Sequence, residues 1–211
     1  HTRLLTVTGV QTCALPISAA GLTHDQADDL IASSVTVARQ AAAASGALVA
    51  ASVGPYGAVL GGGQEYEGNY GLPHRELVDF HAQRLAILAA AGPDMLACET
   101  IPDLREVEAI LEALAPYTDI PVWLSMSCRD GQTTCAGQPF GDLAGLVRDV
   151  PNIVAVGVNC TKPEFVSELL EHLGDDLPAV VYPNAGRVWN GNRHEWEGDG
   201  QDRKSTRLNS S

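Results

Sequence analysis

The stretch Ile153–Thr161, IVAVGVNCT, decides how the chain is read. Small and β-branched residues with no periodic polar face describe a strand buried on both sides, the kind found in parallel sheets. Such a strand exposes chemistry only at its C-terminal end, where the βα loops open and the strand body is already packed. Asn159, Cys160 and Thr161 stand at that end. Taken alone, Cys160 is either a small buried hydrophobe or a thiolate, acting as metal ligand or nucleophile.

Outward from this strand the same unit recurs. Ala47–Val53 (ALVAASV), Asp94–Thr100 (DMLACET) and Pro121–Ser127 (PVWLSMS) precede it as short apolar runs, and Ala179–Tyr182 (AVVY) follows. Helical spacing separates them. A helix capped by Thr23 carries Ala27, Leu30, Ile31, Val35 and Ala38, with Asp25 and Asp28 in its first turn. Further helices run from Pro73 to Gly92, from Pro102–Asp103 through Leu114, over Leu143–Val150 and over Pro163–Leu173. Helix alternating with strand implies a parallel sheet with right-handed crossovers. The fold expected is α/β, a partial (β/α)8 barrel lacking its first and last strands. No Gly-x-Gly-x-x-Gly follows a strand, which weakens a dinucleotide-binding sheet.

The two ends read differently. Val7–Ile17 and Asp202–Ser211 lack periodicity, and codons for the first segment have a reverse complement that translates as the second. Those codons resemble a sequencing-library adapter. Residues 1–17 and 202–211 are therefore expected to be adapter-derived and non-native, to form no packed element, and to leave 18–201 as one incomplete barrel domain. Outside these ends, 9 of the 13 basic and 25 of the 26 acidic residues remain, a net charge of −16. That balance argues against nucleic acid or an anionic membrane as partner and favours small-molecule ligands. No apolar run approaches the roughly 20 residues of a membrane span. Cys98, Cys128, Cys135 and Cys160 show no CxxC spacing, so a reduced, cytoplasmic protein is expected. Oligomeric state is not legible.

Several residues are candidates for chemistry. Glu99 ends a buried strand, and a carboxylate there is costly unless it meets a cation or several donors. Cys98 alternates to the opposite face. Gly54-Pro55-Tyr56-Gly57 permits a tight turn with close backbone approach, although an ordinary loop has the same spacing. The polar loop that follows, with Tyr66 and Tyr70, is long enough to suggest function. His74 and His81 are two helical turns apart, too far for one ion, and read as surface or packing residues.

Four strand-end motifs, SVGPYGA (Ser52–Ala58), LACETIP (Leu96–Pro102), AVGVNCT (Ala155–Thr161) and VVYPNAG (Val180–Gly186), together resemble the homocysteine S-methyltransferase family, over Ser18 to about Gly198. The resemblance implies a zinc-dependent enzyme using S-methylmethionine or S-adenosylmethionine. It also implies zinc held by three thiolates, with Cys160 as one metal ligand and catalytic residue. The other two, an adjacent Cys-Cys pair after Gly-Gly, have no counterpart here, nor does the family's first-strand Asp-Gly-Gly loop. By the same pattern Glu99 would receive the homocysteine amino group. Main-chain groups of Gly157, Val158 and Asn159, with the loop bearing Gly54 and Tyr56, would shape the amino-acid pocket. A free thiol, with pKa about 8.5, is a poor nucleophile at neutral pH, and zinc coordination would deprotonate it. Two alternatives stay open: a barrel hydrolase or aldolase with Glu99 as base, and a non-catalytic amino-acid-binding barrel.

Overall fold

The computed structural model describes residues 4–7, 21–60, 62–184, 188–190 and 195–197. In chain order the elements are β1 (Leu4–Val7), α1 (His24–Ala42), β2 (Leu48–Val53), α2 (Gly57–Leu60), α3 (His74–Ala90), β3 (Met95–Ile101), α4 (Leu104–Leu114), β4 (Val122–Met126), α5 (Asp142–Val147), β5 (Ile153–Asn159), α6 (Val166–Glu171), β6 (Ala179–Tyr182), β7 (Val188–Asn190) and β8 (Glu195–Glu197). The five strands expected from the sequence all form.

Local chemistry sets the helix starts. The Thr23 hydroxyl accepts from the Gln26 amide while the Gln26 side chain accepts from the Thr23 amide, a reciprocal cap that satisfies donors the helix leaves open. The buried stripe of α1 is Ala27, Ile31, Val35, Ala38 and Ala42; Leu30, assigned to that stripe by spacing, stays 42% exposed. Asp103 caps α4 by accepting from the Arg105 amide.

β1 to β6 form one parallel sheet in sequential order. A doubly wound sheet reverses its order at a switch point, and no reversal occurs through six strands. Successive barrel units give this order. Alternation along the strands separates two faces. Val49, Ala51, Val53, Leu96, Cys98, Leu124, Val156 and Val158 pack outward with Ile31, Leu85, Val107, Ile110 and Leu114 of the helices. Ala50, Ala97 and Trp123, with Met95, Ala155 and Val180, form a smaller inward cluster. A wholly enclosed leucine such as Leu85 or Leu124 contributes about 2 kcal/mol.

One expectation is corrected. Leu4–Val7, expected to form no element, lies parallel to β2 with Leu4 opposite Leu48 and Val7 opposite Ala51, and it also meets α1. The physical reason is that β2 would otherwise present a row of unpaired backbone groups, a template for any segment with strand propensity, which Leu-Leu-Thr-Val has. The remaining residues of 1–17, apart from this strand, and all of 202–211 lie outside the described residues. β7 and β8, unanticipated, make an antiparallel hairpin with Trp189 opposite Trp196. Among the described residues, no helix is long and apolar enough to cross a membrane.

Candidate active site

The inward-facing residues at the C-terminal ends of β2 to β6 form a connected polar layer. Glu99 is half-buried and accepts from Ser52 Oγ at 2.6 Å and from Tyr182 Oη at 2.7 Å. Burial and the neighbouring Glu99 charge push the Tyr182 hydroxyl well above the usual tyrosine range, which keeps it protonated as a donor. Trp123 Nε1 donates to the same hydroxyl at 3.3 Å, and Ser125 Oγ lies 2.9 Å from it. Ser125 in turn donates to Asn159 Oδ1 at 2.8 Å. A carboxylate has about four acceptor positions, and these two hydroxyls leave Glu99 with capacity for a further donor.

Register explains how Glu99 reaches this layer. Cys98 pairs with Leu124 and Ile101 with Met126, so Glu99 and Thr100 together oppose Ser125 alone. That extra residue is a bulge, which bends the strand end and re-aims its side chains. Thr100 takes a left-handed φ of 65°, unusual for a β-branched residue, and Cys160 takes 49°. Both conformations are held by Asn159. Its Oδ1 accepts from the Thr100 amide at 2.8 Å as well as from Ser125, and its Nδ2 donates to Thr100 Oγ1 at 2.6 Å and to Cys160 Sγ at 3.4 Å. Every hydrogen-bonding position of that amide is used, which fixes its orientation.

The Cys160 sulfur sits among donors. Thr100 Oγ1 lies 3.6 Å away and Asn159 Nδ2 3.4 Å away. Cys160 is half-buried, with its amide donating to Tyr182 O and its carbonyl accepting from Asn184 Nδ2. The other cysteines differ. Cys98 faces the helices and burial pushes it up to about 12, while burial also raises Cys128 and Cys135. Cys160 therefore fits a metal ion as one ligand. Among the described residues no group of three His, Cys, Asp or Glu side chains could hold one.

The structure brings Glu99, Asn159 and Cys160 into one network, has Gly157 and Val158 on the same strand as Asn159, and engages Gly54 and Tyr56 elsewhere. Gly157 faces inward, but a Cβ there would collide with Val180 O, so glycine is required by the approach of β6. The Val158 side chain is fully buried against the helices, which leaves only its backbone toward the cleft. Gly54 O accepts from Arg84 Nη1 at 3.2 Å, and the Tyr56 amide donates to Glu106. The Tyr56 ring packs on Tyr70 and Phe80.

These last contacts belong to a second cluster that sequence reasoning missed. Glu106 is fully buried and accepts from the Tyr56 amide, Tyr70 Oη at 3.0 Å and His81 Nε2 at 2.9 Å. Burial lowers the His81 pKa, against the pull of Glu106. The ring is neutral, with Nε2–H donating and the buried Nδ1 lone pair unpartnered; an imidazolium would instead bury an orphan donor. A cleft of about 230 Å³ between α1 and α3, lined by residues including Asp28, Ile31, Phe80 and Arg84, lies apart from the Glu99–Cys160 layer.

The homocysteine S-methyltransferase family profile matches residues 10–208. Homocysteine S-methyltransferase of Escherichia coli is 39% identical over 194 residues, covering 87% of this chain and 63% of the relative. Homocysteine S-methyltransferase YbgG of Bacillus subtilis is 38% identical over 194 residues, with 86% and 62% covered. Homocysteine S-methyltransferase 1 of Zea mays is 38% identical over 196 residues, with 84% and 61% covered. The metallated crystal structure of the E. coli homocysteine methyltransferase MmuM superposes with a TM-score of 0.81 at 39% identity, over 86% of this chain and 66% of that one. The chain thus spans somewhat over three fifths of the length of these relatives. With its sequential parallel sheet and strand-end polar layer, the chain belongs to the homocysteine S-methyltransferase family.

Proposed function

We propose that the protein to which this chain belongs transfers a methyl group from a sulfonium donor, S-methylmethionine or S-adenosylmethionine, to the sulfur of homocysteine, giving methionine. The observation that carries this reading is the joining of Glu99 to Cys160 through Tyr182, Ser125 and Asn159 on one face of the sheet. A carboxylate with spare acceptor capacity and a cysteine sulfur set among donors suit the two ends of an amino acid that carries a thiol. Glu99 receives the ammonium, held in place by Ser52 and Tyr182. Asn159 fixes the backbone turn that aims Cys160, and main-chain groups near Gly54 and Gly157 border the amino-acid pocket. Val158 contributes through its backbone alone.

Zinc is the metal proposed, with Cys160 as one ligand and the other two thiolates not supplied by this chain. When bound, zinc supplies the acidity that makes a substrate thiol a thiolate at neutral pH. Residues 1–17 and 202–211 are proposed to be foreign to the natural protein, β1 filling an edge that a native strand occupies. The test is methionine formation by a chain extended to the length of its relatives, supplied with homocysteine and either sulfonium. Turnover with neither donor overturns the reading.

A further inference from the structure

The turn that follows β2 is held from behind by two buried side chains of opposite charge. Ser52 and Gly54 share the inward parity of Ala50, so the chain leaves the strand one step beyond the Ser52 hydroxyl that donates to Glu99. Gly54-Pro55-Tyr56 has few polar groups with which to fix itself there. Pro55 has no N–H, and the carbonyls of Pro55 and Tyr56 accept from the Ala58 and Val59 amides at 3.2 and 2.9 Å, which starts α2. The direction of the turn is set at its two ends. Arg84 Nη1, on α3, donates to Gly54 O at 3.2 Å, and Glu106, on α4, accepts from the Tyr56 amide. Arg84 is only 8% exposed and Glu106 is wholly enclosed. Rings fill the space between them: Tyr56 packs on Tyr70 at 5.3 Å and edge-on to Phe80 at 5.0 Å, and the Arg84 guanidinium lies 4.9 Å over the Phe80 ring.

We propose that Arg84 and Glu106 are positioning residues of the amino-acid pocket, clamping the two ends of the Gly54–Tyr56 turn from α3 and α4 so that it stands as a fixed wall beside Glu99. This rests on the reading of Glu99 as the ammonium site of homocysteine. Two anchors are needed for a physical reason. With only the Tyr56 end held, both backbone dihedrals of Gly54 stay free to turn, and glycine has more conformational freedom to use than any other residue. Burying two ionised side chains is expensive where neutral groups would satisfy the same carbonyl and amide, but hydrogen bonds with an ionised partner are roughly twice as strong as neutral ones. That strength suits a turn that must keep one position, since a misplacement of about 1 Å at a reacting substrate can lower its rate about 100-fold.

Two experiments separate this proposal from the functional reading. The first follows amide hydrogen exchange by mass spectrometry in the present chain, comparing the parent with Arg84→Met, which keeps an apolar stem and removes the donor to Gly54 O. The amides of Tyr56, Ala58 and Val59 are expected to exchange about tenfold faster or more, with those of β4 unchanged. No acceleration in the turn, or an equal acceleration in β4, overturns the clamp. The second experiment measures turnover in a chain of the relatives' length. Arg84→Met and Glu106→Gln are expected to lower kcat/KM for homocysteine by up to about 100-fold through a raised KM, with the KM of the sulfonium donor unchanged. Arg84→Lys, which returns a donor to Gly54 O, is expected to recover part of that loss. A purely structural role would reduce the amount of active enzyme and leave the homocysteine KM where it was. An unchanged homocysteine KM in both variants, or an equal rise for both substrates, therefore overturns the proposal. A parent without turnover sinks the functional reading instead and leaves hydrogen exchange to decide the clamp.

Discussion

Glu99 and Glu106 stand seven residues apart and do opposite work. Glu99 is half-buried on the inward face, accepts from two hydroxyls and keeps acceptor capacity for a further donor. Glu106 is fully enclosed between α3 and α4, and an amide, a tyrosine and a histidine supply its donors from inside the protein. A carboxylate whose partners are all internal is scaffold; one with capacity left over is available to a ligand. Burial alone does not separate the two cases, because desolvation raises the cost of both and only the count of donors tells where that cost is offset.

The sharpest test of the open region is its sulfur. Cys160→Ser in a chain of the relatives' length is expected to bring methionine formation below detection and to lower bound zinc measured by elemental analysis, without moving the urea midpoint. Full activity in that variant would remove Cys160 from the mechanism.

In the closed region the expected effect falls on stability. Glu106→Ala leaves three donors without their acceptor and should cost about 3 kcal/mol in urea unfolding, while Glu106→Gln recovers part of it. A loss under about 1 kcal/mol would mean that the cluster repacks and is not the scaffold described. Glu99→Gln should do the reverse. Replacing a charged acceptor weakens a hydrogen bond to an ammonium by about 1.5 to 3 kcal/mol, so homocysteine KM is expected to rise roughly 10- to 100-fold with stability little changed. A stability loss matching that of Glu106→Ala would erase the distinction between the two carboxylates.

The smallest effect is a pH slope. His81 titrates below its ordinary value of 6.5 in the folded chain because burial disfavours the charged ring. The unfolded chain therefore binds the proton first as pH falls, and the stability His81 contributes is present above about 6.5 and lost below it, by at most about 1.4 kcal/mol per pH unit. Urea midpoints at pH 7 and pH 5 should differ less in His81→Gln than in the parent. Equal slopes in the two proteins would show that His81 is not held neutral.

Much of the fold was legible. The five strands, their order and the outward direction of Cys98 follow from alternation and from apolar runs bounded by turn residues, which are properties of near neighbours in the chain. Glu99 and Cys160 were legible for the same reason, since each stands where a buried strand ends. The hairpin of β7 and β8 also left a signal, because Val188-Trp189-Asn190 and Glu195-Trp196-Glu197 flank a Gly191-Asn192 pair, residue types that favour turns. His81 left one too, lying on the buried stripe of α3 with Leu77, Leu85 and Leu88.

The choice of Glu106 over Glu108 and Glu112 of the same helix left no signal that composition carries. Its partners His81, Tyr70 and Tyr56 lie 25, 36 and 50 residues away, and only the packing of α3 on α4 and the path of the Gln64–Tyr70 loop bring them together. The bulge that aims Glu99, the left-handed turns at Thr100 and Cys160, and the strand that Leu4–Val7 adds to an open edge are of the same kind. The sequence by itself determined which segments become strands and helices, and which polar residues end the strands, because period and burial are written locally. Tertiary structure decided which of those polar residues share a network and which are closed off from it, because hydrogen-bond capacity is filled by whatever the folded chain brings within reach.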